Sequence, residues 1–161
     1  MPPIRPEAGP LPHFVQVDDG LYRGGQPTLD GIRKLSTMGV KTIVNLRRSS
    51  KEMVEERRLA EQLGMRWVNI PVRAWWRPSE AQIRQFLAIA SDPAQRPVFV
   101  HCRLGRNRTG VMMANYRIAH DGWPTRRAYT EACRLGLAPW NPVSRLAIVH
   151  RPVVVEHAPV R

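Results

Sequence analysis

The ten residues His101, Cys102, Arg103, Leu104, Gly105, Arg106, Asn107, Arg108, Thr109 and Gly110 follow the apolar run Val98-Phe99-Val100 and lead into a helical pattern. Their types describe a phosphate cradle built around a nucleophile. A loop of successive backbone N–H groups closing onto a helix N-terminus binds a tetrahedral dianion, and the helix dipole adds to the attraction. The same field favours a thiolate, so Cys102 is expected to have a depressed pKa and to be nucleophilic near neutral pH. Arg108, six positions after the cysteine, would return over the cradle and hold two phosphate oxygens in a forked contact, most tightly as they spread in the transition state. Gly105 gives the backbone freedom that a tight loop demands. Thr109 can offer its hydroxyl to the sulfur, and His101 can brace the loop through its ring nitrogens. Arg103, Leu104, Gly105, Arg106 and Asn107, with Arg108, form the expected phosphate-binding set.

Such a loop needs a strand before it and a helix after it, and the flanking sequence supplies both. Residues 21–28, LYRGGQPT, read as a short extended piece ending in a Gly-Gly turn. Thr28 opens a helix with Leu29, Ile32, Leu35 and Met38 on one side, and Gly39 ends it. Residues 40–46, 66–70 and 96–101 read as strands, the first and last of them buried. Ser49 with Glu52, and Ser79 with Gln82, are candidate capping boxes for two helices. Between them, PVRAWWRPS (71–79) is a loop by its prolines. Helices are expected from Thr109 and from Thr125. Strand and helix alternate, so the expected fold is α/β, with a mainly parallel sheet of about four or five strands flanked by helices.

The chain has 161 residues, close to the roughly 150 of one typical domain, so a single domain over 1–161 is expected. The order of its Pro-rich start, 1–13, is left open. At 43% hydrophobic and 24% charged, the composition can build a core and excludes a disordered tail or a disulfide-held miniprotein. No apolar run approaches the roughly 18 residues of a membrane span, and the opening lacks the apolar region of a secretory signal. A cytoplasmic protein without stable membrane insertion is expected. The net charge of +12 calls for an anionic partner. Arginine-rich composition accounts for part of it, but residues 93–120 hold five Arg and no Asp or Glu. No nucleic-acid reader motif is present, so nucleic acid is not the expected partner. Cys102 and Cys133 are the only cysteines, and no C-x-x-C or His/carboxylate cluster has metal-ligand spacing. Neither metal nor organic cofactor is expected. Cys133, on an amphipathic helix with Ala132 and Leu135, reads as core packing.

HCRLGRNRT matches H-C-x5-R-[S/T], and in this the chain resembles the protein tyrosine phosphatase superfamily. LYRGGQPT, GVKTIVNLR and the strand before the Trp-rich loop extend the resemblance, over about residues 15–150, to small dual-specificity-like phosphatases of bacteria and fungi. The resemblance implies the cysteine-phosphatase fold and hydrolysis of phosphate monoesters through a phosphocysteine on Cys102, without a cofactor. The implied substrate is a phosphotyrosine protein, with a phosphoinositide or inositol polyphosphate as the alternative.

Two departures refine this. Most relatives carry an Asp about thirty residues before the nucleophile, which protonates the leaving oxygen. Here that window reads RWVNIPVRA, and residues 62–79 contain no Asp or Glu. Glu80, Asp92 and Asp121 are the nearest candidates, and each has a simpler reading as a helix-end or turn residue. Without an acid, either the substrate has a good leaving group or the chain is a phosphate-binding pseudophosphatase. The second departure is the basic pair Arg103 and Arg106, at loop positions where relatives acting on inositol phosphates also carry basic residues. Trp75 and Trp76, between Arg73 and Arg77, occupy the place of the family's mobile acid-bearing loop and are candidates for a wall over a substrate ring.

Overall fold

The structure is a computed structural model that describes residues 9–145 and 147–148; the remaining parts of the Pro-rich start and of the single-domain expectation lie outside the described residues. Five strands, β1 (Val15–Asp18), β2 (Leu21–Gly24), β3 (Thr42–Asn45), β4 (Arg66–Asn69) and β5 (Val98–His101), form one sheet in the order β1-β2-β5-β3-β4. Only β1 is antiparallel to its neighbour. The helices are α1 (Leu29–Thr37), α2 (Met53–Gln62), α3 (Glu80–Ser91), α4 (Asn107–Ala119), α5 (Thr125–Arg134) and the short α6 (Pro142–Arg145). This is the expected α/β fold, with β1 an edge strand added to the parallel set.

The side chains of β3 and β5 alternate between two cores, as the period of two requires. Val44, Val98 and Val100 join Ile83, Phe86, Met112 and Tyr116 of α3 and α4 on one face. Ile43 and Phe99 join Ile32, Leu35 and Ala60 of α1 and α2 on the other. Burial on both faces explains why these strands read as nearly continuous apolar runs. A third cluster packs α4 against α5 through Val111, Ala114, Ala128 and Ala132, with Cys133 partly buried beside it.

Helix starts follow their caps unevenly. Thr28 accepts the Gly31 N–H at 3.1 Å. The Ser79–Gln82 box forms in full, with bonds of 3.1 and 3.0 Å. The Ser49–Glu52 box does not form: Glu52 is itself the N-cap residue of α2, makes no side-chain cap bond, and faces Arg47 at 3.5 Å instead. Helix α4 begins at Asn107, two residues before Thr109, because the loop closes directly onto it. The described part of the Pro-rich start is tied down. The Thr28 N–H donates to Pro10 O at 3.1 Å, the Gly25 N–H donates to Pro12 O at 2.9 Å, and His13 Nε2 lies 2.7 Å from Leu135 O. Among the described residues no helix is long and apolar enough to cross a membrane.

Candidate active site

The central strand β5 ends at His101, flanked in register by Gly24 of β2 and Asn45 of β3. The loop that follows sits at the carboxyl ends of the parallel strands, where open α/β sheets place their ligands. Its fit depends on glycines. Gly105 has φ +73°, and a Cβ there would lie 2.4 Å from the Gly24 carbonyl carbon. A Cβ on Gly25 would press the Arg103 carbonyl oxygen at 3.0 Å, and that oxygen accepts the Gln26 N–H at 2.9 Å. The Gly24-Gly25 turn therefore lets β2 carry the loop on its back.

Cys102 is 3% exposed. The Gly105 N–H points at its sulfur, 3.2 Å away. Burial alone would raise the thiol pKa, but the Arg108 guanidinium, the Thr109 hydroxyl and the Thr109 and Gly105 amides outweigh it and hold the pKa below the ordinary value. The Thr109 hydroxyl is fully buried, has no hydrogen-bond partner of full geometry among the described residues, and lies beside the Cys102 sulfur. Arg108 is lowered first by its own burial and further by the charges of Arg47 and Arg103, while the sulfur opposes both. The first-turn amides of α4 have no i−4 acceptors and, with the helix dipole, are placed to seat an anion.

A cleft of ≈ 180 Å³ opens above the sulfur, lined by Cys102, Arg103, Leu104, Asn107, Arg108, Ala74 and Trp75. Arg106 is not among these: its aliphatic stem lies against Gly136, where a Cβ would approach it to 2.8 Å. The Asn107 carboxamide oxygen accepts the Ala138 N–H at 2.9 Å, fixing α4 to the segment after α5. The two tryptophans part company. Trp75, at φ +61°, walls the cleft and stacks on Trp140 with centroids 5.5 Å apart, whereas Trp76 faces a different hollow.

Among the described residues, no carboxylate lines the cleft. Glu80 lies in the first turn of α3 and pairs with Arg84 at 2.8 Å. Asp92 caps the far end of α3 and accepts from Ala94 N and Gln95 Nε2, each at 2.9 Å. Asp121 follows the far end of α4, paired with Arg117 and His120 at 2.8 Å each. With a rise of about 1.5 Å per residue, the length of a whole helix separates the last two from the loop. Among the described residues, no group of three or more His, Cys, Asp or Glu could hold a metal ion.

Behind the loop lies a buried polar layer. His101 Nδ1 is 3.0 Å from Cys102 O, and its Nε2 is 2.7 Å from Glu56 Oε1. Both ring nitrogens face oxygens, so the ring bridges the loop backbone and α2. Glu56, 1% exposed, also accepts from Gln26 Nε2 at 2.7 Å and Trp67 Nε1 at 3.1 Å. Burial works to raise its pKa, but His101 and these donors hold it below the usual carboxylate value. Arg23, also 1% exposed, donates from Nη2 to Gly105 O at 3.0 Å, and its Nε and Nη1 have no partner among the described residues. Desolvation brings Arg23 down to about 10, against the pull of the Cys102 sulfur. Arg23 and Gln26 stand inside LYRGGQPT, so a signal for them existed; Glu56, in a charged helix, carried none.

A family model described as a DSP-PTPase phosphatase fused to NAD+ kinase matches residues 15–134. The chain belongs to this DSP-PTPase family. Within it, the chain is similar to the dual specificity protein phosphatase TpbA of Pseudomonas aeruginosa, at 30% identity over 128 residues, 79% of this chain and 56% of TpbA. It is similar to the inositol diphosphatase DSP2 of Oryza sativa subsp. japonica, at 30% identity over 118 residues, 65% of this chain and 53% of that protein. The chain thus spans about half the length of these relatives, and about a tenth of a matching Arabidopsis thaliana chloroplastic NAD kinase. Among solved structures, the core catalytic domain of the PP-IP phosphatase SIW14 from S. cerevisiae superposes with a TM-score of 0.77 at 20% identity, covering 88% of this chain and 86% of that one. TpbA in complex with phosphotyrosine superposes with a TM-score of 0.67 at 25% identity, covering 89% and 87%. The DSP-PTPase fold and the cradle of this chain therefore coincide in one family.

Proposed function

We propose that this chain is a cysteine-dependent phosphatase of the tyrosine and dual-specificity type, hydrolysing phosphate monoesters through a phosphocysteine. The observation that carries the reading is the Cys102 sulfur held 3.2 Å from the Gly105 amide, with Arg108 beside it and its pKa depressed. In the first step the thiolate attacks phosphorus. The S–P bond forms, the ester P–O bond breaks, and the leaving oxygen departs with the bonding pair while Arg108 and the loop amides hold the equatorial oxygens. In the second step water attacks the phosphocysteine, the S–P bond breaks, and the sulfur leaves as a thiolate supported by Thr109, releasing inorganic phosphate. The dual-specificity relative TpbA supports phosphotyrosine as the substrate.

A second reading has its own observation. Arg103 lies exposed at the cleft, where it can meet a further phosphate, and the similar rice DSP2 is an inositol diphosphatase. A phosphoinositide or inositol polyphosphate is then the substrate.

The test is turnover of an aryl phosphate, phosphotyrosine peptides, phosphoinositides and soluble inositol phosphates by the parent chain and by Cys102→Ser. The variant is expected to lose turnover of every substrate and to retain phosphate binding, because the amides and Arg108 do the binding. A Ser variant that still turns over, or a parent chain that binds phosphate without hydrolysing any of the panel, would overturn the phosphatase reading.

A further inference from the structure

Residues 73–77 form a partition with two different sides. Ala74 and Trp75 face the cleft above Cys102, whereas Arg73, Trp76 and Arg77 line a larger hollow of ≈ 580 Å³. Arg48, in the segment between β3 and α2, lines that hollow too, together with Pro71, Pro78 and the start of α3. Among the described residues, none of the guanidinium groups of Arg48, Arg73 and Arg77 makes an ion pair or a hydrogen bond. The contact of Arg73 is with the face of the Trp76 ring, 5.9 Å from its centroid. The carboxylate that lines the hollow, Glu80, is engaged by Arg84 at 2.8 Å. Three like charges gathered in one concavity repel one another, and an anion among them reverses the sign of that energy. The exposed Trp76 ring supplies an apolar wall.

The hollow and the cleft share the 73–77 segment between them. Arg73 directly precedes Ala74, and Arg48 directly follows Arg47, whose charge reaches Arg108. We propose that Arg48, Arg73 and Arg77 form a second anion site, which takes a non-reacting phosphate of a multiply phosphorylated ring, free or as a lipid headgroup, while another phosphate occupies the Cys102 cradle. A compact polyphosphate is the ligand class because the three cations share one bounded hollow, where an acidic peptide would call for charges strung along a groove. The link to turnover rests on the phosphatase reading; binding at the hollow does not.

The experiment therefore measures binding to a protein that carries Cys102→Ser, with soluble inositol hexakisphosphate in one arm and phosphatidylcholine vesicles containing phosphatidylinositol bisphosphate in the other. Adding Arg48→Ala, Arg73→Ala and Arg77→Ala is expected to weaken binding by about tenfold or more, as loss of charge-assisted contacts does. A control that removes the same charge elsewhere, Lys34→Ala with Lys41→Ala and Arg126→Ala, is expected to weaken it much less. Loss in the soluble arm alone assigns the free compound, loss in the vesicle arm alone assigns the headgroup, and loss in both assigns their shared chemistry. Equal effects of the two triple variants, or no effect in either arm, would overturn the site even if the parent chain proves an active phosphatase. Should the triple variant melt early, Arg48→Glu alone, at an exposed loop position, carries the same comparison.

Discussion

Arg23 is a cation with no route to water, and its burial depresses its own pKa to about 10. A buried guanidinium is costly unless it is paired and hydrogen-bonded, and among the described residues this one has a single bond, to the Gly105 carbonyl. Its compensation is electrostatic: the interaction between Arg23 and the Cys102 sulfur favours the charged form of each. Arg23 ties the loop through Gly105 and places positive potential behind the Cys102 sulfur, the geometry of a positioning residue. Removing it should raise the thiol pKa, so the ascending acid limb of the kcat/KM profile for an aryl phosphate should move to higher pH. We expect Arg23→Met to shift that limb up by about half a unit or more, and Arg23→Lys to restore much of the shift. A purely structural residue would lower activity at all pH values and leave the limb where it was.

At the scale of elements, the informative segment is the 71–79 loop. It carries no carboxylate and brings only Ala74 and Trp75 to the cleft. Glu80, Asp92 and Asp121 are each held in ion pairs or cap bonds away from the sulfur. An enzyme that protonates its leaving group shows little dependence of rate on leaving-group pKa, because the proton offsets the developing charge. One that does not must expel an anion. Across a series of aryl phosphates kcat/KM is expected to fall steeply as the phenol pKa rises, with no decline at high pH from an ionising acid. A flat series with a bell-shaped profile would show that a carboxylate moves in, and amide replacements of the three acids would find it. The steep result would leave aryl phosphates and phosphoanhydrides as the substrates, and disfavour serine phosphoesters.

At the scale of the molecule, Glu56 ties the fold to the site. From α2 it reaches His101 at the end of β5, Asn45 on β3, Trp67 on β4 and Gln26 after β2. Its native pKa is depressed, so its stabilising contribution is present above the ordinary glutamate value of about 4.3 and is lost as pH falls through the lower native value. Glu56→Gln is expected to cost about 1–3 kcal/mol in urea unfolding at neutral pH, and the gap from the parent should narrow as the pH is taken down past that range. A gap that stays constant would show that the carboxylate charge contributes nothing to stability. The signature loop, the strand-helix alternation and the Ser79–Gln82 box were legible in the sequence because each depends on neighbours within a turn or two. The supporting layer was not, since its contacts span 45 residues from His101 to Glu56 and 82 from Arg23 to Gly105. Glu55 and Glu56 are adjacent and chemically identical, yet one is exposed and the other buried against His101. Sequence alone pointed to Cys102 as the candidate nucleophile, to the loop around it as the candidate cradle, and to the order of the elements from β2 to α5. Which glutamate meets the histidine, which tryptophan meets the cleft and which arginine is buried were decided by tertiary packing, because the rotation of α2 against the sheet and the path of the 73–77 loop are settled by burial summed over the whole core.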